Sequence, residues 1–205
     1  MSRLRPTDAV FLNVPFDTAY RPLFEAMVFA VLDCGFQPRC ALETTDAGQV
    51  RVQKIAAIIR ECALGIHDIS RTGLDKESRL PRFNVPFELG LFLGAKWFGN
   101  QIQRRKNTLI LDCERYRYQQ FLSDIAGQDI KAHQNKPEML IKAVRNWLRD
   151  TQPTRPMPSG GVIAARYRRF RQELPVWCRQ QKLEEHALQF NDYTFLIWRW
   201  LEAHQ

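Results

Sequence analysis

The chain has no stretch near the ~18 consecutive apolar residues of a membrane span, which argues against a membrane-spanning protein. Its opening, Met1-Ser2-Arg3-Leu4-Arg5-Pro6, lacks the apolar run of a secretory signal, so a cytoplasmic protein is expected. The five cysteines (Cys34, Cys40, Cys62, Cys113, Cys178) are odd in number and form no C-x-x-C pair. Cys34, Cys62 and Cys113 fall within apolar segments and read as small core residues of a reduced protein. The four histidines (His67, His133, His186, His204) show no metal-ligand spacing, so no bound zinc is expected. There is no G-x-G-x-x-G, no G-x-x-x-x-G-K-[ST] and no G-x-S-x-G. A dinucleotide-cradling turn, a P-loop and a serine nucleophile elbow therefore have no support. Internal repeats and low-complexity tracts are absent too.

What is present is globular. Of 205 residues, 45% are hydrophobic and 11% aromatic. A chain of this length buries roughly 70% of its unfolded surface, enough for one sizeable core. One domain of about 150 residues with an appendage fits that length. The net charge is +8 and unevenly placed. Residues 1–100 carry 12 basic and 11 acidic side chains, residues 101–150 carry 10 and 6, and residues 151–205 carry 8 and 5.

Apolar runs predict strands over 9–16, 36–43, 64–70 and 108–114, with a short fifth near 129–133. Helical spacing predicts helices over 20–35, closed by Gly35, and over 49–63, 87–99 and 137–149. Pro38 argues for an edge position or a late start of the second strand. Strand and helix alternate, and the runs are too continuous for a one-sided sheet. The expected fold class is α/β: a flavodoxin-like (Rossmann-like), doubly wound, mainly parallel sheet of about five strands over residues 1–150. Residues 151–161, rich in Pro and Gly, read as a linker or surface strap. Residues 162–205 read as a small C-terminal helical extension. Its helices span 162–174, interrupted by Pro175, and about 190–203. Their aromatic stripes require a partner surface.

Ligands of open parallel sheets bind at the carboxyl ends of the strands. Those ends carry Asn13, Phe16 and Asp17, then Glu43 and Asp46, then Asp68, Ser70 and Arg71, then Asp112 and Glu114. The most informative stretch is LPRFNVPFELGLFLGA, residues 80–95. Asn84 can cap a helix there, Pro86 suits its first turn, and Glu88 precedes a buried apolar run. A carboxylate so placed has two readings: a first-turn acid that complements the helix dipole, or an anion held in a cleft against developing positive charge. Arg39, Arg71 and Arg82 are candidates for gripping a pyrophosphate, Arg82 standing nearest the proposed site. His67 is expected to be buried beneath a helix if Asp68 faces the cleft.

FLNVPFD (11–17), GIHDIS (65–70) and N-x-x-x-E-L-G (Asn84, Glu88, Leu89, Gly90) occur in the order and spacing of a known group. Over about residues 9–114 the chain resembles the nucleoside 2-deoxyribosyltransferase-like and TIR-like superfamily, which cuts N-glycosidic bonds of nucleosides or NAD. The resemblance implies that Glu88 is the catalytic carboxylate and that Asp68 contacts the ribose. It makes Asn13, Phe16, Asp17, Ser70, Arg82 and Asn84 the remaining substrate-binding candidates. Arg82-Phe83-Asn84 departs from the Asp and Gly usual in the transferases, which places the chain closer to the hydrolase-like, NADase-like branch. The insert 72–81 and residues 150–205 fall outside the resemblance. No cofactor is implied, NAD being a substrate. The partners implied are a nucleotide, and a second copy of the chain or a protein of a bacterial antiviral defence system.

Cleavage of a ribosyl bond passes through an oxocarbenium-like state that one carboxylate can stabilise. Nicotinamide leaves as a neutral molecule and needs no general acid, whereas a nucleobase usually does. One strong carboxylate candidate therefore favours NAD or a related nucleotide. Two other functions compete: a non-catalytic nucleotide-signal-binding domain on the same fold, and a basic nucleic-acid-binding protein. The latter rests on Arg104-Arg105-Lys106 and on Arg166, Arg168, Arg169 and Arg171.

Overall fold

The computed structural model describes residues 7–44, 46, 48–73 and 82–204. Most of the insert 72–81 lies outside the described residues. Five parallel strands form one sheet in the order β2-β1-β3-β4-β5. They are β1 (Ala9–Asn13), β2 (Gln37–Arg39), β3 (Leu64–Asp68), β4 (Asn107–Asp112) and β5 (Lys131–Ala132). Helices α1 (Arg21–Asp33), α2 (Arg51–Glu61), α3 (Asn84–Phe98) and α4 (Pro137–Thr151) alternate with them. Helices α5 (Gly160–Gln180) and α6 (Phe190–Ala203) follow. This is the doubly wound, flavodoxin-like α/β layout that the apolar pattern implied. Pro38, which has no ladder donor, sits in the edge strand β2.

Strand alternation sorts the core into two faces. Val10, Leu12, Leu64 and Ile66 belong with α1 and α4, while Ala9 and Phe11 meet Ile55 and Ile59 of α2 and Phe92 of α3. Gly35, at φ +77°, closes α1 in the left-handed region that glycine tolerates. Its N–H donates to Leu32 O at 2.8 Å, and that of Phe36 donates to Val31 O at 3.0 Å.

Every residue of α1 from Ala26 to Val31 is fully buried. A helix apolar all round must be covered on both sides. The sheet covers one side, and α5 and α6 cover the other. Phe170 and Trp200 pack on Phe29 with ring centroids 5.4 and 5.9 Å away, and Tyr193 meets Phe170 at 5.8 Å. The aromatic stripes of the C-terminal helices thus find their partner within the chain, in one core continuous with β1 and β3. Segment 151–161 is pinned down as a strap. Arg145 Nε donates to Pro158 O at 2.7 Å, Arg149 Nη1 to Arg155 O at 2.5 Å, and Arg155 pairs with Asp8 at 3.0 Å.

Two local expectations are corrected. Pro175 does not interrupt the helix, because α5 runs unbroken from Gly160 to Gln180. Leu174 and Cys178, one turn apart on the buried stripe, hold both halves of the helix against the core, and that burial offsets the missing donor. Asn84 is the first helical residue of α3 rather than its cap. Phe83 is the N-cap, and its carbonyl accepts from Phe87 N–H at 2.9 Å.

Replacing Pro175 by Ala restores the donor to a helix interior. The variant is expected to gain about 2 kcal/mol of stability, less whatever the proline saves in unfolded-chain entropy. Urea unfolding followed by circular dichroism measures the change. An unchanged or lowered midpoint would show that the ring itself is part of the packing.

Candidate active site

In this strand order the chain leaves β1 toward one side and β3 toward the other, and the crevice between their carboxyl ends is where such sheets bind ligands. A cavity of about 330 Å3 lies there, lined by Val14, Pro15, Phe16, Asp17, Leu42, Arg51, Arg71, Arg82, Asn84, Val85 and Glu88. Phe16, Asp17, Arg82, Asn84 and Glu88 were all singled out from the sequence. Arg71 was weighed as a phosphate ligand, and its Nη2 stands 3.3 Å from Asp17 Oδ1. That same Asp17 oxygen accepts the Tyr20 N–H at 2.9 Å, at the head of α1. Arg51 is the residue that sequence reasoning missed. No motif marks it; it enters only because α2 begins beside the crevice.

Glu88 sits in the second turn of α3 and is 8% exposed. Among the described residues its carboxylate has no hydrogen-bond partner. Burial pushes the Glu88 carboxyl above its usual range, and the Arg51 guanidinium pulls it back down. The result is a poorly solvated anion at the wall of a cavity bordered by arginines.

Asn13 does not line the cavity but lies beneath it, 1% exposed. Its Nδ2 donates to Val85 O at 2.9 Å and to His67 Nδ1 at 2.9 Å. One amide therefore ties β1 to β3 and to the first turn of α3, one residue from Asn84 and three from Glu88. The bond to Nδ1 places the His67 proton on Nε2. His67 is fully buried, in edge-to-face contact with Phe11 and Phe92 at 5.8 and 4.9 Å. Gly65 makes room for this stack: a Cβ there would come within 2.8 Å of both His67 Nε2 and the Phe92 ring. Burial pushes the His67 imidazole down to about 3, so the ring is neutral.

Asp68 is also fully buried, and the alternation of β3 sends its carboxylate away from Glu88, toward α1. Tyr20 Oη donates to its Oδ2 at 2.5 Å, and His133 Nε2 stands 3.0 Å from the same oxygen. Asn135 N–H donates to His133 Nδ1 at 3.0 Å, which leaves the His133 proton on Nε2, facing Asp68. The Ser70 N–H donates to Asp68 Oδ1 at 3.0 Å. Burial and the Asp68 charge raise the Tyr20 phenol well above its ordinary value. Asp68 thus fastens α1, β3 and the segment before α4 together, and neither it nor Ser70 lines the cavity. The contact of Tyr20 and His133 with Asp68 is long-range and carried no signal in the sequence.

The other residues weighed from the sequence lie elsewhere. Arg39 is paired with Glu43 at 2.7 Å and Glu61 at 3.1 Å. Lys106 is not part of a basic surface. Its Nζ turns inward to Ile59 O at 2.5 Å and to Cys62 O, at the end of α2, above the Phe92 ring. Burial brings its amine down to about 8. Arg166, Arg168, Arg169 and Arg171 are paired with Asp33, Glu138, Glu173 and Glu25 respectively. Burial pushes the thiols of Cys34, Cys40 and Cys62 up to about 12, so none of the three is a nucleophile at neutral pH. Among the described residues no group of His, Cys, Asp and Glu could hold a metal ion. No helix among the described residues is long and apolar enough to cross a membrane.

Fold and site together define an open parallel α/β domain with a buried carboxylate in the crevice between β1 and β3. Compared with family models, curated proteins and solved structures, the chain finds no match.

The neutral His67 has a consequence for stability. Its folded-state value lies below that of the unfolded chain, so between pH 6.5 and about 3 the unfolded state binds the extra proton. Stability from this group is complete above pH 6.5 and is lost as pH falls toward 3, by at most ~1.4 kcal/mol per pH unit. His67→Gln keeps an acceptor for Asn13 but cannot titrate. It is expected to show a shallower loss of stability than the native chain in urea unfolding between about pH 7 and pH 5. Parallel pH dependences would contradict the neutral-histidine account.

Proposed function

We propose that the protein is a nucleotide N-glycosidase that breaks the nicotinamide–ribose bond of NAD or a related nucleotide, with Glu88 as its catalytic carboxylate. One observation carries this reading. Glu88 is a desolvated carboxylate without a hydrogen-bond partner among the described residues, at the wall of a cavity of about 330 Å3 in the ligand-binding crevice of the fold.

The chemistry asks for little more. The bond between C1′ and the pyridinium nitrogen breaks with both electrons going to nitrogen, and neutral nicotinamide leaves. Positive charge develops on C1′ and the ring oxygen, and a nearby anion stabilises it or bonds to the carbon. Water then adds at C1′ and loses its proton to solvent. A carboxylate already stripped of water meets that charge without reorganising a hydration shell. Arg51 and Arg82, which line the same cavity, suit the phosphate oxygens of the nucleotide.

The withdrawal of Asp68 into the core favours a second reading, a domain that binds a nucleotide without turning it over. A single assay separates the two. Nicotinamide release from NAD is measured for the native chain and Glu88→Gln at high protein concentration. The catalytic reading expects release by the native chain and a loss of about 10²-fold or more in the variant. A loss below tenfold would sink it, and saturable NAD binding without release would select the second reading.

A pH profile adds an independent check. Activity requires the ionised carboxylate, so it is lost as pH falls through the raised Glu88 value. The acid limb of kcat/KM, which reports the free enzyme, is expected above the 4.5 of an ordinary Glu. A limb at or below that value would place the essential carboxylate elsewhere.

A further inference from the structure

A second cavity, of about 340 Å3, opens beside the first and shares a wall with it, made of Pro15, Phe16, Asp17 and Leu42. Its far side comes from the C-terminal extension, through Leu188, Gln189, Phe190 and Tyr193. The head of α6 is tied across to the chain beyond β2, where Asn191 Nδ2 donates to Glu43 O at 3.0 Å. Much of the lining is aromatic. Phe24 meets Phe16 edge-on at 5.5 Å and lies within 29° of parallel to Phe190 at 6.1 Å.

The charged groups that reach this cavity are already satisfied. Glu25 is bonded by Arg21 at 2.8 Å and, from outside the cavity, by Arg171 at 2.6 Å. A ligand would meet flat apolar surface edged by the neutral hydrogen-bonding groups of Thr18, Thr44 and Gln189. Such a lining disfavours a phosphate or an ammonium, which would lose water without gaining a free countercharge. It suits a planar, uncharged ring with polar edges, because aromatic side chains stack on the face of any nucleobase.

We propose that the second cavity holds the distal base of a dinucleotide whose proximal ribose lies at Glu88. This rests on the function proposed above and narrows its substrate to a dinucleotide. Each cavity alone lies near the lower end of the ~300–1,000 Å3 of small-molecule sites, so a ligand with two ringed halves needs both. The bridge between the halves would cross the shared wall, past Asp17 and Arg71, with Arg51 and Arg82 on the Glu88 side. The C-terminal helices thereby become part of the binding site, since without Leu188 and Phe190 the base would have one open side.

Thr44 lines only the second cavity and is exposed, so Thr44→Trp fills that cavity without touching the core. Leu188→Trp fills it from the opposite wall. Calorimetric titration with AMP, which needs no turnover, is the first arm. AMP is expected to bind the native chain and Glu88→Gln alike, and at least tenfold more weakly to both Trp variants. In the second arm, the ratio of kcat/KM for NAD to that for nicotinamide mononucleotide is expected to fall at least tenfold in Thr44→Trp. Failure of AMP to bind the native chain, or equal affinity for the filled variants, would overturn the proposal. AMP binding without nicotinamide release from NAD would uphold the base site and count against Glu88 catalysis alone.

Discussion

The side-chain amide of Asn13 is the tie on which the crevice depends. One nitrogen donates to Val85 O and to His67 Nδ1, joining two neighbouring strands to the first turn of the helix that carries Glu88. Losing it would leave a buried imidazole nitrogen without its partner, at a cost of ~1–3 kcal/mol, and would cut the link from the two strands to the head of α3. The donor requirement also explains the neutrality of His67. A proton on Nδ1 would set two donors head to head, and turning the Asn13 amide would set its oxygen against Val85 O. The missing Cβ of Gly65 and the ring of Phe92 complete the fit. Asn13, first singled out as a ligand contact, is buried and holds the head of α3 to β1 and β3.

A second constraint comes from α1. A helix buried along its whole middle cannot stand at the outer face of a three-layered sandwich. The strap and the two final helices form a fourth layer, and Phe29, Phe170, Tyr193 and Trp200 join it to the rest. Part of the basic excess of the second half is used in holding that layer. Arg166 reaches Asp33 and Arg171 reaches Glu25, both on α1. These pairs occupy arginines that would otherwise offer a polyanion its footing.

Patterns that act over one or two turns of chain were legible in the sequence. The strand and helix order, the edge position of Pro38 and the helix closure at Gly35 all rest on such local rules. So did five of the residues that line the cavity, because loop residues after β1 and at the head of α3 have few other places to go. What failed depended on distant partners. Asp68 follows β3 as ligand-binding acids do, but Tyr20 and His133, far away in sequence, draw its carboxylate to the other face. Pro175 looked like a break until the burial of Leu174 and Cys178 decided the issue. Lys106 belonged to a run of three basic residues, yet the end of α2 needed a donor.

The sheet has another property that follows from its two borders. β2 is three residues long with a proline at its centre, and β5 is only two residues long. Neither offers an open row of backbone donors and acceptors on which another strand could register. Extension of the sheet from chain to chain, the route to runaway β-aggregation, is blocked at both borders. If copies of this protein associate, they have helices and loops to do it with, and the crevice between β1 and β3 stays clear of any such growth.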